Sequence, residues 1–546
     1  MTGASDANHS LAYTYDALGR VTGKGQTIGT VNQSIGYGFS NGQLTTMALP
    51  SGQLVTYGYN DNNQVISVRV GSTMVLSNAL YDPFGPVRGW TWGNGTLMSR
   101  SYDTDGKLAQ FVSGGLKTYA YDDAFRITGI TDAVVPANSW TYGYDGLDRI
   151  TSATKTGMTL GWTYDANGNR LTQTGSSAST FTIASSSNKI SSVSGSIART
   201  YSYDASGNTT GYSTATATYN NRGRMKTLTK ASVTASYVYS VLGQLIKQGG
   251  GPSSTVLYMY DEAGHLVGEY TSTGALIQET VWLGDIPIAT LRPNGAALSI
   301  YYVHTDHLNT PVRVTRPSDN VLMWMWYASP FGTDSAIENP AGGGTFNYNL
   351  RMAGQLYDTQ AGLHQNTFRD YDPLTGRYLE SDLVGLRAGI NTYLYVGANP
   401  VSFIDPFGLT REDIDAMVCF ARRMNPDLEI PYPIVDDLGY TRRGDKIAGE
   451  TGRWPWSTTY IDSMYLKHLD PEGIFDLYNT IIHESWHYDK QPFYNRGSMG
   501  SESEAYAEGY KRSYAVRKRI LTKQIDCDCL ENGGRARGRN RGNQSQ

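Results

Sequence analysis

Cysteine, histidine and long apolar runs are all scarce in this 546-residue chain, and each scarcity excludes something. The three cysteines, Cys419, Cys527 and Cys529, all fall in the last part, so no disulfide framework can hold the first 400 residues. Cys527 and Cys529 flank a single residue, too tight for a zinc-ribbon knuckle; they read as unpaired thiols, with a bridge from Cys419 to either left open. No stretch approaches the roughly 18 apolar residues of a membrane span. Met1–Ser10 is not a signal peptide, so export is expected to use another route or an upstream piece. Charge is also thin at first. Residues 1–409 hold 53 Lys, Arg, Asp or Glu, whereas the 137 residues from 410 to 546 hold 41, and that jump marks a boundary between two kinds of protein. The net charge of −4 gives no global pull toward nucleic acid or membrane.

Of only eight histidines, two stand in His483-Glu484-Ser485-Trp486-His487, an HExxH pattern. Residues four apart share a helical face, so both imidazoles can reach one ion, and the intervening Glu can take a proton from a water there. The flanks predict the helix. Asp470-Pro471-Glu472 supplies an N-cap, a proline at the first position and an acid at the positive end. Ile474, Phe475, Tyr478, Ile481, Ile482 and Ser485 recur at helical spacing and would form the buried stripe, and Gln491-Pro492 marks the stop.

A third ligand has to come from the next predicted helix, which opens at Ser501 and runs through Tyr510, Tyr514 and Ile520. Glu504 is the first choice, giving a His2Glu site for Zn2+ with His483 and His487, ahead of Glu508 and then Glu502. Ser501 with Glu504 also fits a capping box, in which Glu504 would only bind a backbone N–H. Asp489 lies on the wrong side of its helix for the same ion.

The first half is a repeat array. An aromatic-x-aromatic step, usually followed by Asp and a Gly or Asn turn, recurs thirteen times from Tyr15 to Tyr260, at a mean spacing near 20 residues. Tyr13-Thr14-Tyr15-Asp16-Ala17-Leu18-Gly19-Arg20 is one copy; weaker ones fall at Phe39, Tyr81, Ile183 and Tyr219. Such a period means stacked supersecondary units, each too small to bury its own face. The unit reads as a β-hairpin with Tyr-x-Tyr on one strand and turn residues such as Asp165-Ala166-Asn167-Gly168-Asn169. Tyrosine suits the wall because its ring is apolar while its hydroxyl can stay wet.

These repeats resemble the YD-repeat, or RHS, family of bacterial proteins, whose hairpins coil into a hollow β-shell. Tyr301–Pro311, Tyr327–Gly332 and Phe368–Tyr378 look like its RHS-associated core, in which His304 and His307 would be structural. Asp382-Leu383-Val384-Gly385-Leu386 and Asp405-Pro406-Phe407-Gly408-Leu409 look like the halves of the family's self-cleavage signature, except that Leu383 stands where proline is usual. The resemblance implies that Asp382 and Asp405, assisted by Arg369, cut the chain after Leu409. The chemistry is sound in itself. Two carboxyls at short range share a proton, so one can activate a water while the other protonates the leaving group. Arg369 could bias which aspartate stays ionised.

The expected protein is therefore multidomain: a large all-β shell followed by a small α+β, zincin-like domain. Repeats would occupy 1–300, the associated core 301–409, the metallopeptidase 410–532 and a disordered Gly/Arg-rich tail 533–546. The strand at 457–461 precedes the HExxH helix, the order found in zincin-like metallopeptidases. By resemblance the segment beyond the cut is a toxin carried to a target cell, there hydrolysing peptide bonds with Glu484 as general base. His468 or Tyr510 would stabilise the oxyanion. The implied partners are a protein substrate, a cognate immunity protein, and secretion machinery or a companion shell subunit. Two other classes compete: a non-enzymatic secreted or surface scaffold binding glycans or partners, and a toxin of another kind, such as one attacking RNA with its basic tail.

Overall fold

The computed structural model describes residues 2–408, except 8, 83–85, 251–254, 384 and 386–388, together with the strands Pro433–Asp436, Gly449–Thr451 and Thr459–Asp462. Two compact units divide at Leu409/Thr410, where the charge density changes. Among the described residues there is no α-helix. The larger part of the first unit is a 32-stranded sheet from β1 (Gly3–Ser5) to β32 (Leu322–Met325). Each strand in it pairs antiparallel with the next. The hairpin meander thus runs past residue 300 to Met325.

One repeat shows why the sequence folds this way. Asp145 Oδ1 accepts the backbone N–H groups of Leu147 and Arg149 at 2.9 and 3.1 Å, and Oδ2 accepts Arg149 Nε at 2.7 Å. The aspartate therefore builds the turn by taking the donors that the reversal exposes. Arg149 then reaches the next repeat. Its Nη1 donates to the carbonyl of Asp165 at 2.6 Å, and its guanidinium lies 5.0 Å from the centre of the Tyr164 ring. Asp16 with Arg20 and Asp122 with Arg126 repeat the pairing; Asn169, Asn208 and His265 take the arginine's place elsewhere.

All thirteen aromatic steps end in a shift of register, for example between Thr14 and Tyr15, Gly143 and Tyr144, and Met259 and Tyr260. A bulge at each of these steps adds twist to the sheet and bends it. The tyrosine hydroxyls are not left to water. Those of Tyr59, Tyr81, Tyr121, Tyr144, Tyr164, Tyr203 and Tyr219 donate to backbone carbonyls of Leu44, Val65, Leu108, Ile127, Ile150, Ile190 and Thr209. Each acceptor is the residue paired at the bulge of the preceding repeat, where the ladder is interrupted.

The bent sheet returns on itself after roughly 230 residues. Gln26 Nε2 donates to Tyr258 O at 2.8 Å, Val241 N to His9 Nε2 at 3.1 Å, and Ser51 N to Glu279 Oε1 at 2.8 Å. An apolar core closes between those turns, from Ile28 to Phe111 on one side and Ile246 to Tyr302 on the other, with Trp92 stacked on Tyr302 at 4.7 Å.

A second, four-stranded sheet carries the site. Its strands are β33 (Gln355–Asp358), β34 (Leu363–Asn366), β35 (Arg369–Asp372) and β36 (Arg377–Tyr378). They are buried almost throughout, packing on Tyr212, Leu228, Tyr237 and Tyr258 of the meander. In the second unit, Pro433–Asp436 pairs parallel with Thr459–Asp462, and Gly449–Thr451 pairs with it antiparallel. Thr459–Asp462 overlaps the strand expected at 457–461. The expected helices at 470–491 and 501–520 lie outside the described residues.

Candidate functional site

Strands β34 and β35 are joined by only Thr367 and Phe368, and Asn366 pairs with Arg369 across the hairpin. This tight reversal presents two polar side chains at one end of the small sheet. The segment Asp405–Gly408 is held against it by one backbone bond and two side-chain bonds. Asn366 Nδ2 donates to Asp405 O at 2.8 Å, Phe368 N to Phe407 O at 3.0 Å, and Arg369 Nε to Gly408 O at 2.7 Å. Two glycines permit the fit. A Cβ on Gly354 would stand 1.9 Å from Pro406 O, and one on Gly408, whose φ is +66°, would stand 2.8 Å from Asn366 O.

Arg369, Asp382 and Asp405 meet in this groove. Arg369 Nη1 is 2.8 Å from Asp382 Oδ2, and Nη2 is 3.4 Å from Asp405 Oδ2. Arg369 and Asp382 are 2% and 4% exposed, so one desolvated cation serves two carboxylates. Asp382 is placed by the returning loop, its N–H donating to Thr392 O at 2.9 Å, the carbonyl that also accepts Arg369 Nη1. An open polar crevice is lined by Asn188, Lys189, Thr392, Tyr393 and Ser381, the residue before Asp382.

Two further residues belong to the site that sequence reasoning missed. Tyr378 Oη donates to Asp405 Oδ2 at 2.7 Å and accepts Asn366 Nδ2 at 2.8 Å, while the Arg369 guanidinium lies 3.7 Å from the Tyr378 ring centre. Burial, and then the Asp405 charge, push the Tyr378 phenol well above its ordinary range, so it remains a donor. Tyr378 stood inside the motif used to recognise the associated core, but nothing in its spacing marked the hydroxyl as facing Asp405.

His304 and His307 are apart from this groove. His304 Nε2 meets Thr315 Oγ1 at 2.9 Å, and His307 Nε2 donates to Val401 O at 2.9 Å. Burial lowers both, His304 to about 4, so they sit neutral in the wall. Asp306 between them builds another repeat turn, accepting the N–H groups of Leu308 and Thr310. The second expected site, His483, Glu484, His487 and Glu504, lies outside the described residues, as do Glu502, Glu508, His468 and Tyr510.

The Teneurin YD-shell family model matches residues 118–394. The crystal structure of TcdB2-TccC3 without its hypervariable C-terminal region shares the fold, with a TM-score of 0.63 and 17% identity over 75% of this chain and 24% of that one. Double-stranded DNA deaminase toxin A of Burkholderia cenocepacia is 35% identical over 131 residues, 24% of this chain and 9% of its own length. Probable deoxyribonuclease RhsA of Dickeya dadantii is 30% identical over 184 residues, 32% of this chain and 12% of its own. The chain thus spans a quarter or less of each of these proteins.

Proposed function

The chain belongs to the Teneurin YD-shell family, and from that premise we propose that it is the shell of an RHS-type toxin that cuts its own passenger free after Leu409. One observation carries this reading: Arg369 touches both aspartates and the carbonyl of Gly408, one residue short of the proposed scissile carbonyl. The reaction is hydrolysis of the Leu409–Thr410 peptide. Water gives its oxygen to the Leu409 carbonyl carbon, one aspartate takes the water's proton, and the other delivers a proton to the departing Thr410 nitrogen. Asp405 is fixed by Tyr378 and Asp382 by Arg369, so both carboxyls are held in place where the segment leading to the cut is seated. Purified full-length chain should appear as two bands, the smaller beginning at Thr410 by mass spectrometry. An intact wild-type chain indistinguishable from Asp405→Asn would sink the reading.

The passenger read from its own residues is a zinc metallopeptidase. Two imidazoles four residues apart and a carboxylate on a following helix are a donor set suited to Zn2+, here His483, His487 and Glu504. Zinc bound there would supply Lewis acidity toward a peptide carbonyl, and Glu484 would hold and pass the proton. Residues 410–546 expressed in bacteria should be toxic, Glu484→Gln harmless but still metal-loaded, and His487→Ala depleted of zinc. A protein substrate, an immunity protein and a delivery device or companion shell subunit are the partners, with delivery into a target cell. A second reading, a passenger acting on nucleic acid, is favoured by the names of the deaminase and deoxyribonuclease relatives. Metal-independent toxicity with DNA or RNA damage would select it.

A further inference from the structure

Beside the groove lies a second pair of carboxyls, Asp370 and Glu380, which the proposed cleavage does not use. Asp370 follows Arg369, and Glu380 precedes Asp382 by two residues, so the pair bridges the segments that supply the arginine and the first aspartate. Leu379 N donates to Asp370 O at 2.9 Å, and the ladder would continue from there to Arg369 and Glu380. Instead, the Glu380 side chain takes over: its Oε2 accepts the N–H of Asp370 at 2.8 Å. Both residues are buried, 8% and 2% exposed. Glu380 Oε1 is buried without a donor, and the group within hydrogen-bonding reach is the Asp370 carboxyl. Two ionised carboxylates cannot satisfy one another there; one proton between them can.

We infer that Glu380 and Asp370 are a positioning pair which, by sharing one proton, locks the Arg369 segment against the Asp382 segment and so sets the pH range in which the chain can cut itself. The inference rests on the self-cleavage reading. Arg224, Asp358 and the phenols of Tyr212, Tyr219, Tyr237, Tyr239 and Tyr393 face the pair from the packed strands. Arg224 is the cation among them, and it is engaged with the carbonyls of Thr367 and Gly243. Burial raises both acids above the ordinary carboxylate range, helped at Asp370 by Asp358 and at Glu380 by Asp370. The lock is therefore intact at low pH and is lost as pH rises through the pair's titration, when two buried negative charges push the strands apart.

The test refolds full-length chain from denaturant at pH 5 to 9 and follows cleavage on gels, with tryptophan fluorescence reporting folding in the same samples. Wild type should lose at least about tenfold in rate toward alkaline pH. Glu380→Gln keeps an acceptor for Asp370 N–H and offers a permanent donor to its carboxyl, so it should cleave with that alkaline loss removed. Glu380→Ala should cleave slowly at every pH. A Glu380→Gln profile equal to wild type, or unimpaired Glu380→Ala, overturns the inference. If wild type and Asp405→Asn are equally intact, the cleavage reading fails instead. The pair is then judged on the intact Asp405→Asn chain, whose melting temperature should fall toward pH 9 unless Glu380→Gln is added.

Discussion

Gly354→Ala tests whether the groove cuts by position, because it displaces the segment that carries Asp405 and leads into the cut without removing any acid or base. The added Cβ would stand 1.9, 2.5 and 2.6 Å from the O, C and Cα of Pro406, all backbone atoms, whereas real Cβ contacts essentially never fall below 3.0 Å. Asp405–Gly408 must therefore withdraw by about 1 Å, a misplacement of the size that costs on the order of 100-fold in rate when reacting groups are preorganised. The turn itself is tied by Gln355 N to Met352 O at 2.8 Å, so the alanine cannot simply swing away. Gly354 also has φ +80°, where alanine costs about 1–2 kcal/mol of backbone strain. Gly362→Ala provides the control. It lies in the neighbouring hairpin at φ +70°, with only Lys230 Nζ at 3.8 Å, and bears the strain without the collision. Time courses of cleavage by refolded full-length chain should show Gly362→Ala near wild type and Gly354→Ala about 100-fold slower. Equal rates for the two variants would refute the argument that the seat of Asp405–Gly408 governs the cut.

Tyr378→Phe removes the hydroxyl on Asp405 and should slow cleavage by about 10- to 100-fold, the worth of a hydrogen bond to a charged group, with fold intact by circular dichroism. Asp145→Ala strips three donors of their acceptor in one repeat turn and should lower the unfolding free energy by about 1–3 kcal/mol in urea titrations, with Asp145→Asn retaining part of it. His265 sits between Asp261 and Asp285 at 2.9 Å each, and their charges raise it to about 9 against burial's opposing push. Its folded value exceeds its unfolded one, so the stabilisation is complete below about pH 6.5 and lost between there and 9. Melting temperature should fall over that window in wild type but not in His265→Gln.

The hairpin array was legible because each repeat writes its own chemistry locally. Aromatic alternation gives the strand, and an aspartate four residues before Arg, Asn or His gives the turn. Even the weak copies at Phe39, Tyr81, Ile183 and Tyr219 carry the bulge. The turn at Asp306 escaped because Thr305 stands where the aromatic would be. The destination of the tyrosine hydroxyls was not readable either, since each acceptor is a backbone carbonyl in the preceding repeat. Arg369, Asp382 and Asp405 were nameable only through a family signature; their juxtaposition depends on contacts across 13 to 36 positions. Asp370 and Tyr378 fell inside the Phe368–Tyr378 motif, and Asn366 and Glu380 just outside it, but none of their roles was readable, because a buried polar side chain is identified by its neighbours in space.

The seating of Asp405–Gly408 has an outcome for whatever happens after a cut. Asn366, Phe368 and Arg369 grip carbonyls on the amino-terminal side of Leu409, and none of those bonds is severed by hydrolysis. The freshly made carboxyl end would stay docked, corking the groove against any other polypeptide. A groove filled in this way by its own product would act once, on its own chain.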